Sequence, residues 1–367
     1  MFSDKAVKTF EGCRFCPMCR HICPVGLVTG NEGNTPRAKA LLANYVARGM
    51  KYSAEMASDM YECYLCYACA NSCESGYEPP IYIREARTMA AVEGLAPPAV
   101  QKLIDNLEKT DNIFGLPKED RLAAVAELIP GLPDKADTLL YIGATAIYKT
   151  PDIAAAFIKL LKKAGIAFTV MLDEPSSGAE LGDLIGFVDE VRQVAAKCVS
   201  RFNECGAKEI IVLDPASARL FKQRCEEWGL KLRAGVISGT AYIARLLKDE
   251  KLRPHIIDLS ATFQDDSILT RELDETEAPR EIMAALGINL KEMFLNRKQV
   301  KSCGSVLAHE SMPRLTQLTG QARWADALRT GRPVLLTASP DVYYVMKKTQ
   351  PEGMKLQDLF VLLEQNC

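Results

Sequence analysis

Along the first hundred residues the apolar positions recur at helical spacing. Thr35 is a natural N-cap ahead of Pro36, the stretch Arg37 to Arg48 is rich in Ala and Leu, and Gly49 can stop it. Ser53 caps a second, short helix reaching about Met60, and Pro80 to Val92 reads as a third, closed by Gly94. Helical pieces continue over Pro98 to Lys109 and Lys118 to Ile129, after which Pro130-Gly131-Leu132-Pro133 marks a boundary.

Beyond that boundary apolar strands alternate with amphipathic helices, the pattern of α/β units on a mostly parallel sheet. Strands are expected at Thr138 to Ile142, Ile166 to Leu172, Glu209 to Leu213, His255 to Leu259, Ile288 to Met293 and Val334 to Thr337. Helices are expected at Pro151 to Ala164, Leu184 to Glu204, Asp214-Pro215 to about Trp228, Pro279 to Leu286, Pro313 to Leu328 and Asp341 to Lys348. Two turns recur at nearly one offset. Pro175-Ser176-Ser177-Gly178 corresponds to Lys301-Ser302-Cys303-Gly304, and Asp214-Pro215-Ala216-Ser217 to Ser339-Pro340-Asp341-Val342, which favours two copies of one α/β unit.

The helical first region carries the chemistry. Cys13, Cys16, Cys19 and Cys23 have the spacing C-x2-C-x2-C-x3-C, and Cys63, Cys66, Cys69 and Cys73 repeat it. Three thiolates so spaced wrap one face of an iron-sulfur cube, while the fourth reaches the neighbouring cluster. The expectation is therefore two [4Fe-4S] clusters, one on Cys13, Cys16, Cys19 and Cys73, the other on Cys63, Cys66, Cys69 and Cys23. Zinc also takes four thiolates, usually as two separated C-x2-C pairs, and would have no use for the third cysteine in each run. Phe15, Tyr64 and Tyr67, set between ligands, are expected to shield the clusters from water. His21 lies inside the first motif, but its four cysteine positions are already filled.

At 367 residues the chain should form two or three units. With 25% charged residues and a net charge of -2 it has no electrostatic footprint for nucleic acid. Met1 to Gly12 lacks the apolar stretch of a secretory signal, and no run of about 18 apolar residues occurs, so no transmembrane segment is expected. Eight of the 13 cysteines belong to motifs that need reduced thiolates, which favours the cytoplasm. No nucleotide, phosphate or hydrolase motif is present.

The twin motif followed by a repeated α/β region resembles the iron-sulfur subunits of the heterodisulfide reductase, anaerobic glycerol-3-phosphate dehydrogenase and glycolate oxidase group. Leu140-Tyr141-Ile142-Gly143, Leu160-Leu161-Lys162-Lys163-Ala164-Gly165 and Ala278-Pro279-Arg280-Glu281-Ile282-Met283 are similar to segments of the group's cysteine-rich domain. The resemblance implies an α-helical two-cluster ferredoxin domain (1–95), a helical connector (96–135) and a duplicated cysteine-rich-like α/β domain (136–254 and 255–367). It also implies Cys-Cys-Gly and Cys-Pro-x-Cys turns in each half. Of eight such cysteines only Cys303 is present, so no cluster is expected in the C-terminal domain.

The implied function is that of an electron-transfer subunit working beside an FAD-containing dehydrogenase of a 2-hydroxy acid or glycerol 3-phosphate, with electrons passing towards quinone, directly or through a membrane-anchoring subunit. The alternative is a thiol or disulfide reductase like heterodisulfide reductase, against which the missing paired cysteines count. Cys198, Cys205 and Cys225 are expected to pack as small apolar residues, Cys303 to be a relic and Cys367 to be terminal and mobile. Asp173-Glu174 and Asp265-Asp266 read as solvated loop carboxylates.

Overall fold

The computed structural model describes residues 2–14 and 16–367. Its N-terminal part is helical, as the spacing predicts. Thr35 accepts a hydrogen bond from the Ala38 N–H to start Pro36–Ala47, and Ser53 accepts one from Met56 to start Ala54–Tyr61. Gly49 and Gly94 take the left-handed conformation after their helices. A further helix, Asp4–Glu11, capped by Ser3, lies on Pro79–Val92 and buries Phe10 against Tyr82. These helices share a core that includes Met60, Tyr61 and Ile83.

Between Pro98–Thr110 and the first sheet, the helix expected over Lys118 to Ile129 shrinks to a 3-10 segment, Ala123–Leu128. Residues 117–120 are exposed and have no apolar face to lay down, so nothing offsets the cost of ordering them as a helix.

Two four-stranded parallel sheets follow. The first consists of β1 (Thr138–Tyr141), β2 (Phe168–Val170), β3 (Glu209–Val212) and β4 (Gly235–Ser238), in the order β2-β1-β3-β4. The second consists of β5 (Ser260–Phe263), β6 (Asn289–Leu290), β7 (Val334–Thr337) and β8 (Lys355–Asp358), in the corresponding order β6-β5-β7-β8. Edge strands β4 and β8 were not expected, because Gly-Val-Ile-Ser and Lys-Leu-Gln-Asp carry little apolar signal. The strand expected at His255 to Leu259 forms five residues later. Residues 255–259 are mostly exposed, whereas Ala261, Thr262 and Phe263 are buried in the middle of the sheet.

The helix expected from Leu184 to Glu204 is two, Ala179–Ile185 and Asp189–Cys205, parted at Gly186. Gly186 has φ +81, and a Cβ there would meet Thr88 Oγ1 at 2.2 Å, so the backbone of this break is pressed onto helix Pro79–Val92. Four helices fill the space between the sheets. Pro151–Lys163 packs on Leu359–Gln365, with Phe157 edge-on to Phe360 at 5.1 Å, and Gly239–Lys248 packs on Ala278–Ala285. Residues of both sheets belong to this single apolar core.

Candidate metal centre

The two cysteine runs are held on element ends. Cys13 follows Gly12, the C-cap of the first helix, Cys19 lies in the 3-10 turn Met18–His21, and Cys23 N-caps the helix Pro24–Thr29. The Cys23 Sγ accepts the Gly26 N–H at 3.4 Å. In the second run Leu65 (φ 51) and Tyr67 (φ 57) are left-handed, which curls the backbone between Cys63 and Cys69. Two bulky residues in that region carry a cost that a binding loop must offset elsewhere. The Leu65 N–H points back to the Cys63 Sγ at 3.4 Å.

The eight cysteines divide crosswise. Cys13, Cys16, Cys19 and Cys73 line one cavity, and Cys23, Cys63, Cys66 and Cys69 line a second. Each holds three residues of one run and the last cysteine of the other. Cys69 also touches the first cavity, so the two are neighbours sharing a wall. In the first, Cys16 is exposed; in the second, Tyr64 and Tyr67 close the wall. Phe15 lies outside the described residues, and His21 is on the surface.

The donor chemistry fits an iron-sulfur core. Burial pushes the Cys23 thiol up to about 12 and the Cys19 thiol up to about 11, and it raises Cys66 and Cys69 as well. Such thiols stay protonated at neutral pH unless a cationic centre takes the place of the protons. Backbone N–H groups directed at sulfur then hold and tune the thiolates.

A third cavity lies where the C-terminal turns meet the second motif. Tyr64 separates it from the Cys63 cavity and bonds Thr319 Oγ1 through its hydroxyl at 3.0 Å. Glu180, Asp214, Asp266, Asp341 and Cys303 surround it. The two turns adopt one geometry: Gly178 (φ 85) and Gly304 (φ 96) each donate to the serine two residues back, Ser176 or Ser302, at 3.2 Å. Cys303 is buried, and its thiol is pushed up to about 12 by burial. Burial and then the neighbouring Asp214 carry Glu180 to about 8 and Asp341 to about 7.

Several side chains read from sequence as solvated are buried. Glu174 receives Arg121 Nη2 at 2.6 Å and the N–H groups of Ile142 and Gly143 at 2.7 and 2.9 Å. Asp265 is clamped by both terminal nitrogens of Arg280 at 2.6 and 2.8 Å, and Asp266 N-caps Ser267–Arg271. Only Asp173 is exposed as expected. A lone charged residue in a loop carries no local signal of burial, since its partner lies tens of residues away; Arg121 precedes Glu174 by 53.

Residues 9–77 match the family model described as a 4Fe-4S dicluster domain. The chain is 27% identical over 359 residues to one of the subunits of the dihydromethanophenazine:CoB–CoM heterodisulfide reductase of Methanosarcina barkeri, covering 90% of this chain and 86% of that protein. It is 26% identical over 333 residues to the probable iron-sulfur-binding oxidoreductase FadF of Bacillus subtilis, with 84% of this chain and 46% of the relative covered. The EtfAB:quinone oxidoreductase of Syntrophomonas wolfei is 23% identical over 283 residues, 74% of this chain and 39% of the longer protein. The chain is thus similar, over most of its length, to iron-sulfur oxidoreductase subunits. The matched N-terminal region is an iron-sulfur domain. No helix among the described residues is long and apolar enough to cross a membrane.

Proposed function

We propose that Cys13, Cys16, Cys19 and Cys73 hold one [4Fe-4S] cluster and Cys23, Cys63, Cys66 and Cys69 a second, and that the chain relays electrons singly between an FAD-containing dehydrogenase and quinone or another carrier. The crosswise division of the eight cysteines between two adjoining cavities carries this reading. Each cluster supplies one-electron storage, which suits a relay for a two-electron flavin. Tyr64 and Tyr67 exclude water from the inner site, while Cys16 leaves the outer one open to a partner.

The dehydrogenase partner follows from the resemblance to glycolate and glycerol-3-phosphate enzymes, and a quinone acceptor accords with the name of the Syntrophomonas relative. The parallel strand orders and the matching Gly178 and Gly304 turns support a duplicated α/β unit that has lost its cysteines and serves as a docking scaffold. Cytoplasmic residence, with membrane contact through partners, completes the reading.

Iron and acid-labile sulfide analysis tests the centre: about eight of each per chain are expected. Four of each would remove one cluster, and zinc in their place both. Co-purification tests the partner; a free monomer with no flavoprotein counts against it.

The disulfide-reductase reading is favoured by the similarity to the Methanosarcina heterodisulfide reductase chain over 90% of the sequence. Against it, Cys303 is the one thiol among the residues lining the third cavity, and exchange chemistry requires a pair or a cluster. Cys303→Ser is expected to leave electron transfer intact; an inactive variant would reinstate that reading.

A further inference from the structure

Three cations converge on the inner cysteine cavity, and every hydrogen bond they donate ends on a backbone carbonyl. Lys39, 1% exposed, gives Nζ to Asp59 O at 2.6 Å and Gly33 O at 3.2 Å. Arg87, 4% exposed, donates to Cys63 O at 2.6 Å, Asp183 O at 2.6 Å and Tyr61 O at 3.1 Å. Arg271 donates to Cys66 O at 2.7 Å and Lys298 O at 2.8 Å. Among the described residues none of the three forms a salt bridge, although every other buried arginine around this junction does, as Arg84 and Arg219 do with Asp183. Burying unpaired cations is costly unless a counter-charge lies nearby. The one carboxylate lining the cavity is Glu62, which is held by Asn34 Nδ2.

The outer cavity has no such surplus. Of the charged residues lining it, Arg14 and Glu74 are both exposed and offset one another. Arg20 and Arg37 nearby are matched to Glu32 at 3.6 and 2.8 Å. Charges at that surface are further weakened by water and salt.

We infer that Lys39, Arg87 and Arg271 provide the counter-charge for the inner cysteine set and make it the higher-potential of the two redox sites, so that electrons rest there while the outer Cys13, Cys16, Cys19 and Cys73 site, open at Cys16, exchanges with the external partner. The inference rests on the cluster assignment proposed above. Four thiolates around an iron-sulfur core are anionic, and reduction adds one more negative charge. Burial alone disfavours that added charge, which would make the inner site the harder to reduce. The same low dielectric strengthens the attraction of the three cations, against the one carboxylate that lines the cavity, and they reverse the order.

An EPR-monitored redox titration of the intact protein decides this. Two midpoint potentials are expected, and the signal that appears first on reduction should be the one perturbed by Cys66→Ser and untouched by Cys16→Ser. Arg271→Gln, at the least buried of the three cations, should retain its iron and make reduction of that site alone about tenfold less favourable, about 59 mV for one electron. Arg271→Lys should keep most of the native value. Perturbation of the first signal by Cys16→Ser overturns the inference, as does an Arg271→Gln shift that is absent or equal at both sites. A Cys73→Ser change in the same signal as Cys66→Ser would instead refute the ligand partition, a failure distinguishable from the others. If Arg271→Gln loses its iron, the order of reduction in the native protein still decides.

Discussion

Single buried carboxylates do two different jobs in this chain, and their surroundings tell them apart. Glu174, with its 2.6 Å contact to buried Arg121 and two backbone N–H groups, fixes the end of β1. Truncating it leaves a buried guanidinium and two amides without acceptors, so Glu174→Ala should cost about 3–5 kcal/mol, measured as a lower urea midpoint of tryptophan fluorescence. Asp358 is the opposite case. One oxygen caps the last helix through Phe360 and Val361, while Oδ2 is buried with no partner, and burial lifts the carboxyl to about 7. A carboxyl whose pKa rises on folding holds its proton more tightly in the folded state. Its contribution is full below the ordinary value near 3.8 and is lost as pH rises through 7. Asp358→Asn keeps the capping oxygen and removes the titration, so its stability relative to the native chain should climb between pH 5 and pH 8, by at most about 3 kcal/mol. Denaturation at the two pH values checks it; a pH-independent difference would refute the assignment.

At the level of elements, Gly186 shows how one residue sets two contacts. It ends Ala179–Ile185 and presses on helix Pro79–Val92, where Thr88 Oγ1 donates to Ile185 O at 2.7 Å. A methyl group there meets both the left-handed φ and the Thr88 and Arg84 atoms, so Gly186→Ala should lose about 3 kcal/mol, read as a lower melting temperature with an unchanged far-UV spectrum. This junction was illegible in the sequence because Gly186-Phe187-Val188 sits inside an otherwise continuous helical pattern; the close approach that requires glycine comes from residue 88. The same holds for β5. His255 to Leu259 has the apolar letters of a strand, but the burial that selects a strand falls on Ser260–Phe263, a central position set by neighbours β6 and β7. By contrast Thr35-Pro36, Ser53 and the cysteine spacings were legible, because caps and cluster motifs are local physics. The crosswise grouping of the cysteines about two cavities could be read from spacing alone, whereas the cations near the inner one could not: Lys39, Arg87 and Arg271 are scattered through helical surface patterns and become a group only on folding.

Across the whole molecule the C-terminal half clamps the second cysteine run. Tyr61 donates to Leu184 O at 2.9 Å, Arg271 reaches Cys66 O, and Asn71 Nδ2 reaches Lys298 O at 3.2 Å. The position of the inner site therefore depends on the integrity of both sheets, which depend on each other. Helix Pro151–Lys163 of the first half buries its apolar face on Leu359–Gln365 of the second, and Gly239–Lys248 on Ala278–Ala285. Neither half can cover these faces alone, so the two should unfold as one unit. Phe157, fully buried at the centre of this layer, tests the coupling. Phe157→Ala opens a cavity against Phe360 and should cost about 3–5 kcal/mol. Because the loss is shared, tryptophan fluorescence, which reports Trp228 in the first half and Trp324 in the second, and the visible absorbance of the N-terminal centre should shift together to a lower denaturant midpoint. Separate midpoints, with one half and the chromophore surviving the loss of the other, would show that the C-terminal halves are independent and that the clamp on the second motif comes from one of them alone.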